Sequence, residues 1–268
     1  MDVHSVSLKG RRETNEDKHF VLINTDKKNK QLLPLNFFGV FDGHGGKFVS
    51  TYLCDNLPKY FVNAKPEVFP FSRKYVYDVF NNIQNTLKSR YKPDARQCGS
   101  TCLVMIHYII EQQNFINIIN VGDSRCILCR DNLAIPLSKD HKPNWPEEKR
   151  RIEKAGGSIY FDGHDYRIKD LSLSRAVGDI DAEPFVSSKP EVFKYKLEKN
   201  DKFLVLGCDG LYDCLSNQDI INFILNDFYD ENMNRINKQI NIATKLGEYA
   251  IQKGTSDNVT VIIIFFDE

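Results

Sequence analysis

Four aspartates stand at the ends of apolar runs. Asp42 follows Phe37-Phe38-Gly39-Val40-Phe41, Asp123 follows Ile118-Ile119-Asn120-Val121-Gly122, and Asp209 follows Phe203-Leu204-Val205-Leu206-Gly207-Cys208. Asp257 directly precedes Asn258-Val259-Thr260-Val261-Ile262, and Glu16-Asp17 adds an acidic pair shortly after Arg11-Arg12. Runs of that composition read as buried strands, so each carboxylate sits at a strand mouth. Strands that converge would bring the charges together, at a cost in repulsion and desolvation unless cations neutralise them. Hard divalent ions such as Mg²⁺ or Mn²⁺ prefer oxygen donors of this kind. The competing reading is that each Asp merely opens a turn, which Asp and Gly favour. Spacing alone leaves both open.

The elements that would position these residues follow from period and punctuation. Strands are expected at Val3–Leu8, His19–Asn24, Leu35–Phe41, Thr101–Ile110, Phe115–Val121, Arg125–Arg130, Glu191–Leu197, Phe203–Gly207 and Asn258–Phe266. Helices fit Lys47–Phe61 and Phe71–Tyr91, the second with Val76, Val79, Phe80, Ile83 and Leu87 at helical spacing. A short helix fits Pro146–Ala155, with Pro near its start and Gly156-Gly157 as its stop. Two more fit Asn217–Phe228, capped by Ser216 or Asn217, and Ile236–Ile251. Asp131-Asn132 is a hairpin signal, and the polar stretch Ser158–Asp181 has no clear period. Strand runs with hairpin links point to an α+β fold of antiparallel sheets covered by helices, not to regular βαβ alternation. No linker, repeat or low-complexity tract divides the chain, so residues 1–268 read as one domain.

Composition narrows the function classes. The 268 residues carry 36 basic and 36 acidic side chains, a balance that argues against a general nucleic-acid binder. No run of about 18 apolar residues or signal-peptide core is read, so no membrane partner is expected and the localisation expected is cytoplasmic or nuclear. The seven cysteines have irregular spacing and suit reduced thiols. Cys126 and Cys129 form a lone CxxC with no second pair to complete a zinc site. Gly43-His44-Gly45-Gly46-Lys47 fails as a phosphate loop, because Phe41 stands where Gly is required and Phe48 follows the Lys. Asn258-Val259-Thr260 is a glycosylation sequon by letters only.

Nine segments, in order along nearly the whole chain, resemble the metal-dependent serine/threonine protein phosphatases known as the PP2C or PPM family. They are Gly10-Arg11-Arg12-Glu13-Thr14-Asn15-Glu16-Asp17, Phe38-Gly39-Val40-Phe41-Asp42-Gly43-His44-Gly45-Gly46, Cys98-Gly99-Ser100-Thr101 and Asn120-Val121-Gly122-Asp123-Ser124-Arg125. Then come Asp140-His141-Lys142-Pro143, Ala155-Gly156-Gly157, Leu173-Ser174-Arg175-Ala176-Val177-Gly178-Asp179, Cys208-Asp209-Gly210-Leu211-Tyr212-Asp213 and Ser256-Asp257-Asn258-Val259-Thr260.

The resemblance implies a four-layer αββα sandwich, two central antiparallel sheets flanked by helix pairs. It implies hydrolysis of phosphoserine and phosphothreonine in proteins by a bridging hydroxide on a binuclear Mg²⁺ or Mn²⁺ centre, without a covalent phosphoenzyme. By position, Asp42 would bridge the metals, Gly43 would ligate one through its carbonyl, and Asp209 and Asp257 would bind the other. Glu16 and Asp17 would contribute carboxylates directly or through water, and Asp123 with Asp209 matches a weaker third site. Arg12 matches the phosphate-binding arginine, whose guanidinium suits a bidentate grip, while Arg11 reads as a solvated charge. His44 matches the general acid that protonates the leaving alkoxide, and His141 reads as structural. The partner implied is a phosphoprotein substrate, and a monomer is the family default.

The sequence departs from the family in one place that bears on substrate. Residues 140–181 would form the flap beside the active site, and the family's frequent Arg-Val-Asn-Gly is here Arg167-Ile168-Lys169-Asp170. Loss of that Gly is expected to alter a turn. Tyr212 stands where Trp is common. The competing functions are a pseudophosphatase that binds partners through the same fold, against which the intact Asp42, Asp209 and Asp257 argue, and a general phosphatase on small phosphoesters.

Overall fold

A strand that is apolar at every position forms where both of its faces are covered, and the central strands here are of that kind. The computed structural model describes residues 1–23, 35–65, 68–232, 234–236 and 239–266. The chain begins with strands β1 (Asp2–Leu8), β2 (Lys18–Leu22) and β3 (Asn36–Phe41), a two-residue β4 (Gly43–His44), and helices α1 (Phe48–Val62), α2 (Arg73–Arg90) and α3 (Lys92–Ala95). The middle supplies β5 (Gly99–Ser100), β6 (Cys102–Ile110), β7 (Gln113–Val121), β8 (Arg125–Arg130) and β9 (Leu133–Pro136). Next come α4 (Pro146–Lys154), β10 (Tyr160–Phe161), β11 (Tyr166–Arg167) and β12 (Val177–Gly178). The chain closes with β13 (Glu191–Lys196), β14 (Asp201–Gly207), α5 (Asp209–Tyr212), α6 (Asn217–Phe228), α7 (Ile242–Lys253) and β15 (Val259–Phe265).

Two five-stranded antiparallel sheets form, in the orders β1-β15-β14-β8-β9 and β13-β7-β6-β3-β2. The two-residue period of a strand explains the layers. Phe38, Val40, Leu103 and Met105 point into one cluster with Leu204, Leu206, Ile262 and Ile264 of the other sheet. The alternate residues of β3 and β6, Phe37, Phe41, Val104 and Ile106, face α1 and α2. Phe203, Val205, Val261 and Ile263 face α6 and α7. The expected order of helix, sheet, sheet and helix is therefore present. Phe38 is fully buried between the sheets, a position where truncation to Ala costs roughly 3–5 kcal/mol.

Most expected elements fall within a residue or two of their observed bounds. Asn24, the expected end of the second strand, lies outside the described residues. The last helix begins at Ile242, six residues later than the Ile236 expected, because Asn241 caps it by accepting from the amides of Ala243 and Thr244. Ser216 is the cap of α6, in a capping box with Asp219. Cys126 and Cys129 face opposite sides of their sheet and share no site. The segment after residue 140 carries a small cluster of its own, Ile152, Ile168, Leu173, Ala176, Ala182 and Val186. Among the described residues, no helix is long and apolar enough to cross a membrane.

Candidate active site

Antiparallel order brings the C-terminal ends of β1, β3, β7 and β14 to the same edge of the sandwich as the start of β15. Asp42, Asp123 and Asp209 lie just past the ends of β3, β7 and β14, and Asp257 lies just before the start of β15. A cleft of about 560 Å³ opens there. Its floor holds Asp42, Gly43, Asp123, Asp209 and Asp257, with Arg12, Glu16 and His44 around it. Arg167 and Asp170 to Leu173 form the wall on the flap side. Asp17 does not line the cleft. It is buried beneath, where its Oδ2 accepts from Thr260 Oγ1 at 2.6 Å.

The carboxylates crowd one another. Asp42, Asp123, Asp209 and Asp257 share the cleft, with Asp17 beneath. Burial pushes the Asp42 carboxyl well above its ordinary range, and Asp209, Asp17 and Asp123 push it further. Burial also raises Asp209, with Asp123 and Asp213 adding to it. Oxygens of Asp17 and Asp42 and the Cys208 sulfur lie within 4.8 Å of one another. Asp123 is 2% exposed, and its Oδ1 has no hydrogen-bond partner. A buried, unpartnered carboxylate oxygen beside other carboxylates is a donor set suited to a hard divalent cation.

Backbone contacts fix these side chains. The amide of Asp42 donates to Thr101 Oγ1 at 3.1 Å, and Thr101 Oγ1 shares a 2.7 Å bond with Ser124 Oγ, which ties the Asp42 and Asp123 loops together. The amide of Gly46 donates to Glu16 Oε2 at 2.9 Å. Arg12 Nη2 donates to Asp257 Oδ2 at 2.7 Å, with the guanidinium otherwise largely exposed to the cleft. Arg11 is exposed. Gly43 must be small, since a Cβ there would lie 2.5 Å from the Glu16 carbonyl oxygen.

Four residues act here whose roles the sequence reading did not assign. His44 Nε2 lies 2.7 Å from Asp179 Oδ2. Burial alone would lower the His44 pKa, but the hydrogen bond and charge of Asp179 outweigh it and raise it. Gly99 leaves the space for this pair, since a Cβ there would lie 2.0 Å from Asp179 Oδ2 and 2.6 Å from His44 Nε2. Lys142 Nζ lies 2.5 Å from Asp123 Oδ2. Burial works against its charge, and Asp123, then Asp209 and Asp213, hold it protonated. Asn258 carries the 9–16 loop by accepting from the Glu16 amide and donating to the Lys9 and Thr14 carbonyls. Ser124, bonded to Thr101, is the fourth after Asp179, Lys142 and Asn258. Only a pairing signal would have exposed these partners, since each joins distant segments.

His141 and Tyr212 both make contacts beside the site. His141 Nδ1 accepts from the Gly122 amide at 3.0 Å beside Asp123. Tyr212 places its ring under the Arg125 guanidinium, which grips Asp140 with two hydrogen bonds. The flap turn persists without its glycine. Lys169 and Asp170 both adopt left-handed φ of 51° and 66°, and Ile168 and Leu171 exchange backbone hydrogen bonds across them.

A family model described as Protein phosphatase 2C matches residues 1–259. The chain belongs to the protein phosphatase 2C family. Its type is that of a protein serine/threonine phosphatase. It is 45% identical over 170 residues to a PP2C-like domain-containing protein of Acanthamoeba polyphaga mimivirus, covering 57% of this chain and 95% of that one. It is 33% identical over 282 residues to the integrin-linked kinase-associated serine/threonine phosphatase 2C of Bos taurus, covering 96% of this chain and 74% of the relative. Among solved structures, a sex determining protein of C. elegans superposes with a TM-score of 0.85 at 26% identity, covering all of this chain and 65% of that chain. The family match and this superposition together take in the whole chain, which spans about two thirds of the C. elegans protein's solved length.

Proposed function

We propose that this 2C phosphatase hydrolyses phosphoserine and phosphothreonine in proteins with two Mn²⁺ or Mg²⁺ ions held by the strand-mouth carboxylates. The observation that carries this reading is the convergence of Asp42, Asp123, Asp209 and Asp257 on one cleft, with an oxygen of buried Asp17 within 4.8 Å of an Asp42 oxygen. Asp42 would be shared between the ions, with Gly43 and Glu16 on one side, Asp209 and Asp257 on the other, and Asp17 behind. Asp123 with Asp209 would hold a third. When bound, such ions supply charge neutralisation and make water a nucleophile at neutral pH.

The chain's own groups do the rest. Arg12 retains donors facing the cleft beyond its bond to Asp257, and grips the phosphoryl oxygens. Asp179 takes the Nε2–H and its charge favours the imidazolium form of His44, whose second proton, on Nδ1, passes to the departing serine or threonine oxygen. A side-chain nucleophile is disfavoured, which supports direct attack by water. Cys208 is fully buried, and burial followed by the nearby carboxylates pushes its thiol well above the ordinary range. Residues 1–268 would act as one catalytic unit, with the 140–181 flap as the wall that meets the substrate chain.

The test is phosphate release from a phosphothreonine peptide with Mn²⁺, with Mg²⁺ and with excess EDTA. Metal-dependent release abolished by EDTA is expected. A folded protein that releases nothing with either metal would overturn the reading in favour of partner binding.

A further inference from the structure

His44 is held by Asp179, and Asp179 is held from a helix on the outer layer. The buried face of α2 is apolar at Val76, Val79, Phe80, Ile83 and Leu87. One buried side chain on it is polar, Gln84, at 4% exposure. An amide in such a place is costly unless every polar atom is satisfied. Gln84 meets that condition with the backbone of Gly178. The Gly178 amide donates to Gln84 Oε1 at 2.9 Å, and Gln84 Nε2 donates to the Gly178 carbonyl at 2.8 Å.

The side chain thus pairs the free edge of β12 as a neighbouring strand would, on the side away from β5. Gly178 and Asp179 are consecutive left-handed residues, at φ 88° and 45°. For Asp179 that conformation is unfavourable by itself and persists only where the surroundings hold it. The same helix also grips the far side of the bend. Gln84 Nε2 donates to Glu183 Oε1 at 2.9 Å, and Lys88, one turn further along, pairs with Glu183 Oε2 at 2.5 Å. Asp179 is therefore flanked on both sides by contacts to α2, while its carboxylate reaches over Gly99 to His44.

We infer that Gln84 is a positioning residue for leaving-group protonation: its amide fixes the Gly178–Asp179 bend and so holds the Asp179 carboxylate against His44 Nε2. The inference rests on the reading of His44 as the proton donor. A serine or threonine alkoxide needs that proton as the P–O bond breaks, whereas a nitrophenolate leaves without it.

The experiment compares kcat on a phosphothreonine peptide and on p-nitrophenyl phosphate at saturating Mn²⁺, for wild type, His44→Ala, Gln84→Met and the double variant. General acids contribute about 10²–10⁴-fold, and misplacing one forfeits part of that. Gln84→Met is expected to lose roughly 10–100-fold on the peptide, at unchanged KM, and under about 3-fold on the nitrophenyl ester. The double variant is expected to be no slower on the peptide than His44→Ala, because the two losses pass through one group. Equal losses on both substrates, or a further loss in the His44-less background, would overturn the inference. If His44→Ala itself shows no preference between leaving groups, the proton-donor reading fails and the inference falls with it. Lys88→Ala, at the half-exposed rim of the same clamp, covers the case in which Gln84→Met does not fold. It is expected to show the same peptide-selective loss at a smaller size, about 2–5-fold, and a loss equal on both substrates would count against the inference.

Discussion

A carboxylate with several like charges beside it and little water around it is costly to keep ionised, so Asp42 and Asp209 should matter first for binding a cation and only through that for turnover. Asp42→Asn and Asp209→Asn are expected to lose high-affinity Mn²⁺ binding in calorimetric titration, together with at least about 10³-fold of phosphate release. Near wild-type hydrolysis by either would refute the assignment. His44→Ala should behave differently, keeping Mn²⁺ affinity while turnover on a phosphothreonine peptide falls by roughly 10²–10⁴-fold. A variant that loses its metal instead would show His44 to be part of the cation site. The aspartates were legible in the sequence because a charged residue at the mouth of an apolar run is conspicuous. Asp179, Lys142 and Gln84 were not. Gln84 sits inside a helical apolar pattern and reads as an interruption, and its partner is 94 residues away.

At the scale of elements, the strands were legible because burial on both faces left unbroken apolar runs such as β3, β14 and β15. Which strand pairs with which was not, since every such run would suit any neighbour. Turn chemistry was partly legible. Asp131-Asn132 signals its hairpin, whereas Glu111-Gln112 and Lys169-Asp170 make left-handed two-residue turns with residues poorly suited to them. Glu111→Asn with Gln112→Gly should therefore stabilise the β6–β7 hairpin by about 1 kcal/mol, read as a melting temperature some 2–4 °C higher. Activity should not change, because that turn is absent from the cleft.

The segment beside the cleft has an ionic anchor in Glu148, which is 4% exposed. Burial would push its carboxyl up, but Arg175 and then Arg151 hold it down at about 2. A carboxyl lowered from an ordinary 4.5 stabilises the fold above that pH, and the stabilisation is lost as pH falls toward 2. Glu148→Gln should flatten the dependence of the melting temperature on pH between about 4.5 and 2, with a loss on the order of 2–3 kcal/mol at neutral pH. An unchanged slope would show that the two arginines contribute nothing net.

For the molecule as a whole, the acidic end is a strain that the two packed sheets tolerate. Mn²⁺ at a hundred times its Kd should add about 2.7 kcal/mol of stability, or roughly 5–11 °C in melting temperature for a chain of this size. EDTA should reverse the shift, and Asp209→Asn should abolish it. A melting temperature indifferent to both would sink the cation site independently of any activity measurement.

The bond from Arg12 to Asp257 joins positions 245 residues apart, and β1 lies against β15 along its full length, from Asp2 opposite Phe265 to Leu8 opposite Val259. Among the described residues β1 pairs with β15 alone, so it joins its sheet only once β15 has been made. A nascent chain that has reached Asp209 already carries Asp42, Asp123 and His44, yet has neither Asp257 nor the strand that seats the 9–16 loop. The Arg12–Glu16 side of the cleft is therefore completed only when β15 pairs with β1.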